Sequence, residues 1–319
     1  MSVVKRRQAF VLKCEKLLDE YLEDKITVES FLKLISGPTI DMFLMFLKVY
    51  IQNLRGKDFK KVAALINETP ISRKLKEELN SSSKNNIKRS AYFLGMIRNA
   101  EVKELVLDKL NFDDTLVFEN CAVYLARINF QEAVPEILLA ADRFHSLNRA
   151  IMISIFLEYE SSVCNKLVHR FPSESLNNKI NFVIIFRMFK YHEAAPVVLK
   201  YFKEVNDDEF ITEAIKYFGE IEYVDSIDVL ANYLQHKSPE IIVEALKVLT
   251  KVGAINLEGK LYELINNNEW NVQLAAANCM YDYSKQTKAK LLSMAKDTSN
   301  NLESTIARMI ISEREIKEI

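Results

Sequence analysis

The sequence predicts an all-α protein, an α-solenoid of antiparallel helical hairpins that repeat every 31 residues. Two octets one period apart, ITEAIKYF at 211–218 and IVEALKVL at 242–249, agree in pattern and nearly in sequence. The 319 residues include only six glycines and six prolines, as expected for helices joined by short turns. A fixed period of this length is typical of stacked units that bury their apolar faces on their neighbours.

The 31-residue step continues along most of the chain. Starting from Ala214, it meets a small or apolar residue each time, at Ser90, Cys121, Met152, Val183, Ala214, Ala245, Ala276 and Ala307. Four residues further on, the equivalent column is apolar except at Arg187. A third column, sixteen residues after the first, is aliphatic throughout, from Val106 to Leu292. We therefore expect every repeat to contribute the same core positions.

Each repeat divides into two predicted helices. In EIIVEALKVLTKVG at 240–253, apolar residues recur at the spacing of one helix face, and LEGKLYELI at 257–265 repeats that spacing after a turn at Gly253. Prolines in QEAVPEILLA and HEAAPVVLKY mark the starts of first helices. Ser238 and one residue of the segment NDD at 206–208 are predicted to cap second helices.

Residues 1–80 do not follow the period. Segments such as FVLKCEKLLDEYL and IDMFLMFLKVYIQNL still predict helices, and Gly37-Pro38 and NSSSKNN at 80–86 interrupt them. Because the end of a repeat array must cover an otherwise exposed core, we predict an irregular helical cap at 1–80 and the repeats at 81–319.

A family resemblance follows from these segments. EAVPEILLAA, followed by second helices with a small residue and then a larger apolar one, as in ENCAVYLARI and ITEAIKYFGEI, resembles HEAT repeats of the short bacterial kind called PBS-lyase-like. The resemblance covers roughly residues 85–312 and implies a right-handed solenoid, but this repeat type serves many unrelated roles. The basic start, the cap and the repeats opening with KRSAYFLGMI also resemble the cytosolic part of bacterial membrane-anchored HEAT proteins, which tend to occur beside processive glycosyltransferases.

Few residues suggest catalysis or metal binding. The histidines are His145, His169, His192 and His236, and none pairs with another at i+4, the spacing of a two-histidine zinc site on one helix. The cysteines are Cys14, Cys121, Cys164 and Cys279, which are widely spaced and predict buried thiols in a reducing compartment. Phosphate-loop and nucleophile-elbow motifs do not occur. We therefore expect no enzymatic activity, no cofactor and no metal.

Charge is distributed unevenly along the chain. Residues 1–100 contain 19 Lys+Arg against 11 Asp+Glu, a balance of +8, and residues 101–319 contain 24 against 33, a balance of −9. The basic part suits an anionic membrane or a membrane enzyme, while the acidic repeats disfavour nucleic acid. The single tryptophan, Trp270, is expected to make a buried contact at the start of a second helix. Because no apolar run approaches the 20 residues of a membrane span, we predict a cytoplasmic protein, with membrane association as an alternative.

One second helix differs from its neighbours. Helix phase predicts an exposed row in the later repeats, at Glu213, Lys216, Glu220, Glu244, Lys247, Lys251, Ala275, Asn278 and Asp282. One repeat earlier, the same positions are Phe182, Ile185 and Phe189, and Arg187 occupies a core column. Either a local change of helix phase or a contact with the N-terminal cap explains these residues, or they form a binding patch for a protein partner or for a second copy of the chain.

The function these patterns favour is a non-enzymatic protein–protein interaction scaffold with a curved surface. One alternative is a cytosolic accessory or regulatory subunit of a membrane-associated enzyme such as a glycosyltransferase. Another is a nucleic-acid-binding protein of the same repeat type.

Overall fold

A computed structural model describes residues 3–32, 39–144, 147–254, 256–297 and 301–317. Within these residues the regular structure is helical and includes no strand, which confirms the all-α class. The chain forms two compact units, Met1–Val163 (unit 1) and Cys164–Ile319 (unit 2).

Helices follow one another closely in both units. Those of unit 1 are α1 (Val3–Leu22), α2 (Glu29–Leu32), α3 (Ile40–Asn53), α4 (Gly56–Asn67), α5 (Pro70–Leu79), α6 (Lys84–Met96), α7 (Lys103–Lys109), α8 (Thr115–Arg127), α9 (Val134–Ala141) and α10 (Arg149–Phe156). Helix α11 (Val163–Arg170) starts at the last residue of unit 1, and unit 2 continues with α12 (Leu176–Met188), α13 (Ala195–Phe202), α14 (Asp208–Glu220), α15 (Ile227–Asn232), α16 (Pro239–Val252), α17 (Glu258–Leu264), α18 (Trp270–Tyr283), α19 (Lys285–Lys296) and α20 (Leu302–Lys317). From α5 onward, the even-numbered helices are the second helices of the sequence pattern.

Second helices pack on one another in series. Within unit 1, α6 contacts α8 and α8 contacts α10, and within unit 2 the contacts run from α12 through α14, α16 and α18 to α20. The first core column places one residue on each second helix, and all eight of its residues are buried. The first predicted column is therefore confirmed, while Val168 and Leu292 of the third column are only partly buried.

The first helical pair begins before the boundary predicted at residue 80. Helix α5 packs on α6, so that boundary falls between two helices that contact each other. Leu75 of α5 is fully buried and lies one period before Val106, the first residue of the third column. The signal for this pair was thus present in the sequence, in the column one step earlier.

Side-chain caps start several second helices. Ser83, Asp114, Ser175 and Asp207 each accept a hydrogen bond from the backbone N–H three residues later, which satisfies one of the free donors of the first turn. The prediction of a cap within residues 206–208 is confirmed. The prediction that Ser238 caps its helix is wrong. The Ser238 hydroxyl donates to the Glu240 carboxylate at 2.8 Å and does not cap the backbone.

Five second helices end in a left-handed turn residue. These residues are Arg98, Asn129, Lys190, Glu222 and Gly253, with φ between 50° and 75°. The residue after the turn donates its N–H back into the helix, as in the 3.0 Å bond from Asn99 to the Leu94 carbonyl and the 3.0 Å bond from Ala254 to the Leu249 carbonyl. This arrangement satisfies the last carbonyls of the helix. Four of the five positions carry a side chain where glycine has less strain.

Tyrosines from the next second helix bind these turns. The hydroxyl of Tyr124 donates to the Asn99 carbonyl at 2.5 Å, and the hydroxyl of Tyr217 donates to the Tyr191 carbonyl at 2.6 Å. Each acceptor directly follows a left-handed turn residue. Burial raises the pKa of both tyrosines, so the hydroxyl stays a donor at neutral pH. Consecutive repeats are thereby joined at the same end of their second helices.

The left-handed turns predict opposite effects at two equivalent positions. Glu222→Gly should raise the free energy of unfolding by about 1 kcal/mol, because glycine removes the strain of positive φ. Gly253→Ala should lower it by a similar amount, since nothing lies within 4 Å of the added Cβ and the change acts through the backbone. Urea unfolding followed by circular dichroism measures both. If the two variants shift the midpoint in the same direction, backbone strain does not control these turns.

Candidate functional site

The patch predicted at Phe182, Ile185 and Phe189 is not a surface of the protein. Phe182 and Ile185 of α12 are fully buried, and only Phe189 is partly exposed. The Phe182 ring packs beside Phe186, with ring centroids 6.4 Å apart. The interpretation as a binding patch is therefore wrong for Phe182 and Ile185. Both side chains are covered within the chain.

Arg187 occupies its core column without being a lone buried charge. Its side chain is 30% exposed, and Nη2 donates to the Glu213 carboxylate at 2.9 Å. Glu213 also accepts a bond from Lys216 at 2.8 Å. The Nε atom of Arg187 is buried and has no hydrogen-bond partner. An ion pair between α12 and α14 thus replaces the apolar contact of the other repeats.

The exposed row predicted on the second helices of unit 2 is largely confirmed. Eight of its nine residues are partly or fully exposed, and Ala275 is the exception because it is buried. A groove of about 330 Å³ runs along this row where α16 faces α18. Its lining combines apolar Val243 and Leu274 with charged Glu244 and Lys247, which pair with each other at 2.8 Å. We call this the unit 2 groove.

Trp270 lies beside this groove but outside the core. It is the first residue of α18, and it is 44% exposed. The expectation of a buried contact is therefore wrong. The adjacent residue, Asn271, lines the unit 2 groove.

A second concave surface occurs in unit 1, where two second helices end near the connection between α3 and α4. This cavity has a volume of about 380 Å³. Arg98 enters its lining from the turn after α6, and Arg127 is the last residue of α8. Arg55 and Gly56 contribute from the start of α4. We call it the arginine cavity.

The three arginines differ in how many hydrogen bonds their guanidinium groups make within the protein. Arg127 holds the Glu158 carboxylate through Nε at 3.0 Å and Nη2 at 2.8 Å, while its Nη1 is buried without a partner. Arg55 donates through Nη1 to the carbonyls of Gln52 at 3.1 Å and Leu54 at 2.8 Å. The exposed Arg98 side chain makes no hydrogen bond or ion pair with any described residue. Three guanidinium groups and one carboxylate leave the lining with an excess of two positive charges.

Sequence reasoning did not find this cavity. Its lining joins the non-periodic α3 and α4 to the turns of the first repeats, and the repeat columns contain no information about that contact. Arg98 lies at the turn position occupied by Gly253 five periods later, but Lys190 and Glu222 also hold left-handed turns, so its residue type gave no signal of a cavity.

Much of the basic excess of residues 1–100 is paired. Asp24 binds Lys57 at 3.0 Å and Lys61 at 2.6 Å. Asp41 binds Lys74 at 3.2 Å and Arg89 at 2.7 Å. Four cations of this part of the chain are thus held by two carboxylates and are less free to meet a ligand.

The four cysteines are buried and free, as the thiol prediction required. Burial raises the pKa of Cys14 and Cys279 to about 11. Burial likewise raises the pKa of Cys121 and Cys164 to about 12. These thiols remain protonated at neutral pH and are poor nucleophiles.

No group of three or more His, Cys, Asp or Glu side chains is placed to hold a metal ion among the described residues. His169 and His192 are exposed, and His236 lies 3.9 Å from Asp208. His145 lies outside the described residues.

No protein-family model matches the chain, and no curated protein sequence matches it. Among the described residues, no helix combines the length and the apolar character needed to cross a membrane. The unit 2 groove and the arginine cavity are the candidate binding surfaces of the chain.

Proposed function

We propose that this chain is a non-enzymatic interaction scaffold, an α-solenoid of HEAT-like helical hairpins that holds a protein partner on the exposed side of its second helices. Solenoids create extended binding surfaces because each repeat adds an equivalent strip. The unit 2 groove is such a strip, with apolar and charged side chains contributed by α16 and α18.

The repetition of contacts at one-period spacing supports this proposal. Arg127 binds Glu158, Asn129 binds Glu160 at 3.1 Å, and Gln131 binds Ser162 at 2.6 Å, each pair being 31 residues apart. Adjacent repeats are thus matched position by position, which keeps the surface of the second helices in register.

The chemistry of the exposed row is the observation that carries the proposal. Glu244 is partly exposed and Lys247 is exposed, so neither side chain is part of the core. They flank the apolar Val243 and Leu274. A mixture of apolar contact and charged groups is typical of surfaces that bind other proteins.

Charge reversal in the unit 2 groove tests the scaffold proposal. Lys247→Glu should reduce capture of the partner by about tenfold or more, since a like-charge contact at an interface costs several kcal/mol. Affinity capture from a native lysate that includes detergent-solubilised membranes, followed by mass spectrometry, measures the loss.

The control is Lys260→Glu on the first helix α17. Lys260 also pairs with a glutamate three positions away, at 2.7 Å, as Lys247 does at 2.8 Å. Proteins lost with Lys247→Glu but kept with Lys260→Glu support the proposal. Identical capture by both variants, or no specific partner at all, contradicts it.

A second candidate function, an accessory subunit at an anionic membrane, is favoured by exposed apolar residues near the N-terminus. Leu12 of α1 is 66% exposed, and Met45 and Val49 of α3 are 51% and 59% exposed. Lys13 and Lys16 of α1 are also exposed. Apolar side chains beside lysines suit the surface of an anionic bilayer.

Flotation with phosphatidylserine-containing liposomes tests this candidate. Wild type should bind at low salt and be released as salt rises. The double variant Met45→Glu, Val49→Glu should not bind, whereas Leu139→Glu, which changes a 73% exposed leucine of α9, should bind like wild type. Absence of wild-type binding at low salt removes the candidate.

A further inference from the structure

We propose that the arginine cavity is a binding site for a phosphate monoester carried on an apolar group. The inference goes beyond the scaffold proposal, because it concerns a cavity of unit 1 and not the unit 2 groove. Its test uses purified protein and small ligands, so it succeeds or fails independently of partner capture.

Stacking of the repeats brings the cationic groups together. Arg98 belongs to the turn that ends α6, and Arg127 ends α8, which packs on α6. Both arginines therefore line the same cavity from consecutive repeats. An arginine fork matches the oxygens of a phosphate group better than a lysine does.

The donors of this cavity are incompletely used by the protein. Arg98 has no acceptor among the described residues, and Arg127 Nη1 is buried without one. The exposed Arg98 guanidinium can donate to an acceptor on a ligand, whereas Arg127 Nη1 is closed to solvent and to a ligand. Glu158 accepts hydrogen bonds from the other two nitrogens of Arg127, so it holds this guanidinium in place and its positive charge adds to that of Arg98.

The start of α4 adds backbone donors to the arginines. Gly56 is its first residue and lines the cavity, and Arg55, the N-cap residue, makes no side-chain cap. The first N–H groups of a helix have no partner inside the helix and favour an anion. Gly56 has a φ of 60°, and nothing lies within 4 Å of the position of a Cβ, so the backbone is open to solvent there.

Charge selects phosphate over carboxylate. The lining has an excess of two positive charges. A phosphate monoester carries about −1.5 to −2 charges at pH 7 and three acceptor oxygens, whereas a carboxylate carries one charge. The monoester therefore neutralises the site and can meet Arg98 and the start of α4.

The rest of the lining suits an apolar body. Phe59 of α4 and the buried Met96 and Ile51 line the same cavity as the arginines. Its volume of about 380 Å³ lies within the range of small-ligand pockets, about 300–1,000 Å³. A single phosphate ion leaves most of that space and the apolar surface unused.

Isothermal titration calorimetry with phenyl phosphate tests the proposal. Wild type should bind phenyl phosphate at least about tenfold more tightly than phenylacetate, which has one charge, or inorganic phosphate, which has no apolar body. Equal affinity for phenylacetate would overturn the phosphate assignment, and equal affinity for inorganic phosphate would overturn the apolar requirement.

The variant Arg98→Gly tests how much the Arg98 guanidinium contributes to binding. It should weaken phenyl phosphate binding about tenfold or more. Because Arg98 is in the left-handed conformation, glycine should maintain or raise the thermal unfolding temperature, so the loss cannot be assigned to unfolding. Arg98→Lys should lose less, since it keeps the charge but not the fork.

Glu222→Gly is the matched control, because it makes the same backbone change at the equivalent turn in unit 2. It should bind phenyl phosphate like wild type. No binding by wild type, or equal binding by Arg98→Gly and Glu222→Gly, overturns the site.

A short phosphotyrosine peptide distinguishes two sources of the phosphate monoester, a phosphorylated protein segment and a free small molecule. Binding about tenfold tighter than phenyl phosphate assigns the site to a phosphorylated protein segment. Binding equal to or weaker than phenyl phosphate assigns it to a free small molecule. Partner capture that depends on Lys247 while phenyl phosphate fails to bind would leave the scaffold proposal standing and remove this one.

Discussion

The close approach of consecutive second helices is the contact on which the rest of the structure depends. The residues at these crossings are small in several repeats, among them Ala214, Ala245 and Ala276. Gly95 shows how little room exists, because a Cβ there would lie 3.0 Å from the Tyr124 Cα. At Gly219, four periods later, a Cβ would lie 2.5 Å from a Val248 methyl group. Larger side chains at these positions would push the helices apart. The contacts that depend on this spacing would then be lost.

That spacing explains where binding chemistry can occur. When second helices stack closely, their ends lie side by side, and a tyrosine of one repeat reaches the turn of the previous repeat, as Tyr124 reaches the Asn99 carbonyl. The same geometry brings Arg98 and Arg127 to one cavity. The core thus determines the distance between repeats. The turn residues do not pack in the core, and their side chains can bind a ligand.

The predictable part of the structure is the part that obeys the period. The column from Ser90 to Ala307 identified buried positions on eight helices because every repeat meets the same neighbours. The prediction of a surface patch at Phe182 and Ile185 was wrong for a related reason. Phase alone assumes that the exposed side of a helix has no other contact, and α12 is covered by the chain on that side. The arginine cavity depends on α3 and α4, which lie outside the period, so the repeat pattern contained no information about it.

The most direct test of the account is hydrogen exchange of Ala245→Leu, which overpacks one crossing at a cost of about 1–3 kcal/mol. In a stack of repeats, stability is lost locally, so protection should fall in α16 and in its neighbours α14 and α18 while α20 keeps its protection. An equal loss of protection through all of unit 2, including α20, would mean a single cooperative core and would contradict the account.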